Sequence, residues 1–140
     1  SHFYSALVKD KPSGVTRWTE KKGIDVFQKR FIFVPINKSL HWSQCVVINP
    51  GAIMEHNKWV MRDFDDEEFD PNTPLPCILF LDSLKAHQKT QVAKNIRAWL
   101  NAEWKRLGKS DDATTFTYSK GSMIVVDPKS KYSYSTPLRY

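Results

Sequence analysis

His41 and Asp82 are the two side chains whose types and placement most suggest chemistry. His41 opens the stretch HWSQCVVIN, and Asp82 closes the stretch CILFLDS. A carboxylate beside one imidazole nitrogen selects the ring's tautomer and orients it, leaving the other nitrogen to take a proton from a nucleophile. The arrangement is two-thirds of a catalytic triad, and it requires two side chains far apart in the chain to meet.

Whether they meet depends on the elements that carry them. Both stretches are short, apolar and rich in β-branched and aromatic residues, which predicts strands. If the two pair antiparallel across the long connection between them, the start of the first lies beside the end of the second. His41 then stands next to Asp82 at a sheet rim, where a rigid backbone can present reactive groups to solvent. A histidine before one strand and an aspartate after another also occur together where no chemistry is done, so the pattern alone does not make an enzyme.

The remaining segments read as follows. SHFYSALV (1–8) is the end of a helix, and KDKPSGVTRWTEKKG (9–23), punctuated by Pro12 and Gly14, is a loop anchored by Trp18. Ile24 and Val26 alternate with polar neighbours. Phe31 to Val34 form a continuous apolar run, which predicts a strand buried on both faces. Residues 50–76, with prolines at both ends and the acidic run DFDDEEFD inside, form an insertion loop with a possible short strand at KWVM. From Gln88 to Leu107 the period becomes helical: Val92, Ile96, Trp99, Leu100, Glu103 and Leu107 share one stripe, Ala93 and Trp104 widen it, and Gly108 closes the helix. SMIVVD is a last strand, and residues 129–140 are a disordered tail.

Composition bounds the function. At 140 residues, 41% hydrophobic and 13% aromatic, the chain suits one domain, 1–140, with a real core. The formal net charge is +6, but the basic residues are scattered and six of the fifteen acids crowd into residues 63–70. That balance suits an acidic protein partner as well as nucleic acid. Cys45 and Cys77 lie inside apolar runs with no metal-binding spacing, which points to a reduced intracellular protein. No signal peptide, membrane span or repeat is visible. The acidic run lacks the glycine and ligand alternation of a calcium loop. His2, His56 and His87 have no companions at metal spacing and read as surface residues, while Trp59, Trp99 and Trp104 read as core or loop anchors.

A resemblance adds to this. The order RWT, IDVFQKRFIFVPIN, HWS, a long insertion, PCILFLDSL and the helix VAKNIRAWLNAEW resembles the Ulp-type SUMO-specific cysteine proteases, also called sentrin-specific proteases. Within them the likeness is greatest to the branch that edits poly-SUMO chains, and it runs from Phe3 to roughly Trp104. A lone His-Trp pair is weak evidence; the whole series in this order is specific.

The resemblance implies an α+β fold of papain-like cysteine protease architecture, with a small, mostly antiparallel sheet and flanking helices, incomplete at both ends. It implies cleavage after the carboxy-terminal Gly-Gly of SUMO, in peptide or isopeptide linkage. His41 matches the general base, Asp82 the carboxylate that orients it, and Trp42 the wall of a tunnel so narrow that only residues without side chains pass. No cofactor or metal is implied. The expected partners are SUMO, SUMO-conjugated proteins or poly-SUMO chains, in the nucleus or nucleocytoplasm, with no role for a membrane or for nucleic acid.

The sequence departs from the family at the nucleophile. The family places it in a Gln, five residues, Cys, Gly arrangement after the SMIVVD strand, where the Gln supplies an oxyanion donor. No cysteine follows Cys77 and no glutamine follows Gln91. Cys45 and Cys77 have the surroundings of inert buried thiols. The family's amino-terminal helix, with another tunnel tryptophan, is also expected to be missing. The 140 residues alone are therefore expected to be inactive. Three explanations stand: a fragment of an active protease, favoured because the likeness stops abruptly near Lys129; a split chain whose partner segment supplies the Cys; or a pseudoenzyme that binds SUMO without cutting it.

Overall fold

The computed structural model describes residues 2–52, 76–109, 118–119 and 123–128. Its elements in chain order are α1 (Phe3–Lys21), β1 (Phe31–Lys38), β2 (His41–Ile48), β3 (Cys77–Leu81), α2 (Lys89–Arg106) and β4 (Ile124–Val126), with 3-10 turns at Val26–Gln28 and Pro50–Ala52. The strands form one sheet in the order β1-β2-β3-β4. The first two pairings are antiparallel and β3–β4 is parallel. The α+β class and the mostly antiparallel sheet agree with the sequence reading.

Both helices pack on one face of the sheet. Val34 and Ile36 from β1, Cys45 and Val47 from β2, and Ile78 and Phe80 from β3 meet Leu7 and Val15 of α1 and Ile96, Trp99 and Leu100 of α2 in a single core. α2 buries the stripe read from its periodicity, Trp99 and Trp104 included, and ends before Gly108 at φ 67°. That left-handed conformation costs glycine nothing.

Two expectations need correction. Residues 9–21 are helical rather than looped, because α1 bends instead of stopping. Lys11 adopts φ 65° and ψ 169°, the extended ψ favoured before proline, and Pro12 restarts the helix at the position where its missing N–H costs nothing. Tertiary contact carries the second half: Val15 is fully buried and Thr19 Oγ1 donates to Oε1 of the buried Glu103 on α2. Trp18 stands on this helix, edge-on to Phe3. Second, β1 is an edge strand and is not buried on both faces. Val34 and Ile36 face the core, while Phe31 and Phe33 are 50% and 67% exposed on the opposite face. Ile24 and Val26 lead into the 3-10 turn, capped by Asp25, whose carboxylate accepts the Phe27 N–H. The possible strand at KWVM, the acidic run, His56, Trp59 and residues 129–140 lie outside the described residues.

Candidate active site

β1 and β2 form a hairpin whose two turn residues, Ser39 and Leu40, both have positive φ (56° and 62°). This is the tight turn whose twist matches paired strands, so Lys38 lies opposite His41 and the histidine is the first residue of β2. In the β2–β3 register Gln44 is opposite Leu81. One further step puts Asp82 beside Ser43, and strand alternation puts His41, Ser43 and Asp82 on the same face. The antiparallel pairing expected from the sequence thus brings the two groups together.

His41 Nε2 lies 2.5 Å from Asp82 Oδ1. The two side chains are 13% and 2% exposed. Asp82 accepts two further hydrogen bonds: the Leu84 N–H donates to Oδ1 at 3.2 Å and the His87 N–H donates to Oδ2 at 2.7 Å. Burial by itself raises the carboxyl pKa, but the His87 N–H, the His41 side chain and the Leu84 N–H outweigh it, and Asp82 is held below the ordinary aspartate value. An ionised Asp82 accepts from Nε2–H, so Nδ1 is the nitrogen available for a proton.

His87 is the site residue that sequence reasoning missed. It is partly buried rather than a surface residue: Nδ1 lies 2.6 Å from Ser43 Oγ, Nε2 lies 3.2 Å from the Lys38 carbonyl, and its ring stands 4.8 Å from that of His41, tilted by 54°. Contrary to the expectation that it lacks metal-spacing companions, His87 groups with His41 and Asp82, one ligand atom from each lying within 4.8 Å of the others. Hydrogen bonds already engage both His87 nitrogens and Nε2 of His41, so hydrogen bonding accounts for the cluster. The one signal in the sequence was Ser43, two residues after His41 and therefore on the same strand face. His2 is exposed, as expected.

Trp42, on the alternate face of β2, is 57% exposed. It lines a groove of about 780 Å³ together with Gln44, Leu81, Asp82 and His87. A second groove, of about 810 Å³, is lined by His41, His87, Lys38 and residues of α1 and α2. His87 is common to both. Trp18 lines neither groove. Neither cysteine is near the pair in a usable form. Cys45 is fully buried, with its thiol pushed up to about 12 by desolvation, and Cys77 opens β3 at the end away from Asp82, pushed up to about 11 by the same cause.

A histidine oriented by a carboxylate can carry a proton as the acid–base half of a triad does. Residues 1–128 match the family described as "Ulp1 protease family, C-terminal catalytic domain", and the chain belongs to that family. Among its relatives, "Probable ubiquitin-like-specific protease 2B" of Arabidopsis thaliana is 35% identical over 103 residues, covering 72% of this chain and 10% of that protein. "Ubiquitin-like-specific protease 2" of Saccharomyces cerevisiae is 33% identical over 97 residues, 66% of this chain and 9% of that protein. "Sentrin-specific protease 7" of Homo sapiens is 29% identical over 162 residues, 89% of this chain and 15% of that protein. The chain thus spans a small part of the length of these relatives. A solved structure described as "Crystal structure of the de-sumoylating protease" superposes with a TM-score of 0.61 at 24% identity, covering 91% of this chain and 40% of that one, a likeness in fold.

Proposed function

We propose that these residues supply the acid–base half of a deSUMOylating cysteine peptidase that cleaves the peptide or isopeptide bond after the carboxy-terminal Gly-Gly of SUMO. The contact between His41 and a buried, triply hydrogen-bonded Asp82 carries this reading. Asp82 holds the proton on Nε2 and stabilises the imidazolium that forms when Nδ1 takes the proton of a thiol; that proton then passes to the departing amine. Trp42 forms one wall for the extended Gly-Gly tail, consistent with its exposure on a groove that also reaches Asp82. The substrates are SUMO conjugates, poly-SUMO chains among them, in the nucleus or nucleocytoplasm.

Cleavage requires a thiol other than Cys45 and Cys77. The thiolate is the nucleophile, and burial holds both of these in the neutral form at neutral pH. That observation favours a second reading for the 140 residues by themselves: recognition of SUMO without cleavage.

His41→Ala in a cleavage-competent protein carrying these residues is expected to lower kcat/KM on a fluorogenic SUMO substrate ending in Gly-Gly by on the order of 10²–10⁴, with SUMO affinity kept. Turnover at the wild-type rate would remove the general-base role. SUMO binding without turnover in every chain that carries these residues would favour the second reading.

A further inference from the structure

We propose that His87 is a positioning residue for the His41–Asp82 pair, acting through its ring as a clip that keeps its own backbone N–H on Asp82. The inference rests on the general-base reading above and adds to it the group that holds the carboxylate in place.

Three elements converge on His87. Its N–H donates to Asp82 Oδ2, which ties it to the end of β3. The Lys38 carbonyl at the end of β1 can only accept, so Nε2 carries the ring proton and donates to it. In the neutral ring Nδ1 is then an acceptor, and the hydroxyl of Ser43, itself only 6% exposed on β2, is the donor. Residues 83–86 between Asp82 and His87 are all exposed, and Lys85 has φ 51°, so this segment has little packing of its own. The ring's bonds to Lys38 and Ser43 therefore dock the segment against the hairpin that carries His41. If the ring is lost, the N–H on Oδ2 is free to leave and the carboxylate free to turn away from Nε2. The tilted ring also covers one side of His41.

Ring ¹⁵N NMR of the 140-residue chain tests this, reading the His41 tautomer and the exchange of its Nε2–H with water. In His87→Ala the exchange is expected to accelerate about tenfold, the scale of one lost net hydrogen bond, with both tautomers populated. Ser43→Ala, which removes the donor to Nδ1, is expected to accelerate it severalfold. His87→Gln, whose amide can donate to Lys38 and accept from Ser43, is expected to stay near wild type. Core methyl signals of Ile36, Ile78 and Ile96 verify the fold, and if His87→Ala does not fold, the Ser43→Ala and His87→Gln results decide.

Wild-type exchange in His87→Ala and Ser43→Ala overturns the proposal, as does a His87→Gln variant that exchanges as fast as His87→Ala. Asp82→Asn separates the two levels of inference. If it alone disturbs His41, only the role of His87 fails; if it too leaves His41 unchanged, the His–Asp reading fails with it.

Discussion

At the scale of single residues, the site depends on how Asp82 is satisfied. Three donors converge on its two oxygens: the His41 ring and the Leu84 N–H on Oδ1, and the His87 N–H on Oδ2. Burial opposes ionisation, and these donors reverse it. A carboxyl whose folded pKa lies below its unfolded value contributes stability that is fully present above the unfolded pKa and is lost as the pH falls through the folded one. With an unfolded aspartate at about 3.9, the stability of the wild type relative to Asp82→Asn should shrink as the pH is lowered from about 5 through about 4 and below. Urea midpoints of the two proteins across that range measure it, and a difference that stays flat to about pH 3 would mean that Asp82 is not held ionised by its partners. That His41 and Asp82 would meet was legible in the sequence, because they stand at the ends of two apolar runs whose antiparallel pairing brings those ends together. His87 was not, because nothing in its local spacing reveals that the exposed residues 83–86 fold back and return it to the carboxylate.

At the scale of elements, β2, β3 and α2 could be read from periodicity, since each buries a continuous apolar stripe. α1 and β1 could not, for opposite reasons. Pro12 and Gly14 are strong local breakers, yet in α1 they serve the bend. A Cβ on Gly14 would sit 2.5 Å from Asp10 Cβ, so the bend presses the two turns together where only hydrogen fits. β1 is apolar enough for a buried strand, but its place at the sheet edge leaves Phe31 and Phe33 facing outward. The bend makes a signed prediction. In an ordinary helix Gly→Ala gains roughly 0.5–1 kcal/mol. Here Gly14→Ala is expected to destabilise by about 1–3 kcal/mol, because the backbone must move to admit the methyl group. A thermal midpoint above the wild type's would show that the two turns do not pack as described.

At the scale of the whole molecule, one sheet face and two helices share a single core, and the His41–Asp82 pair sits at the rim, where the β1–β2 hairpin and the segment after β3 meet. Buried Glu103 locks the helices together, accepting from Thr19 of α1 and from Trp99 and Arg106 of α2, while Arg106 also donates to the Ile24 carbonyl. Among the described residues no helix is long and apolar enough to cross a membrane. In the proposed function the fold serves to fix one proton: on Nε2 of His41, facing Asp82, with Nδ1 left as the base. The ring ¹⁵N shifts of His41 near neutral pH report that proton directly. The expected result is the Nε2–H tautomer in the wild type and a shift toward Nδ1–H in Asp82→Asn, whose single amide oxygen cannot serve three donors. A wild-type His41 carrying its proton on Nδ1 would contradict the account, because the nitrogen assigned to receive the thiol proton would already be occupied.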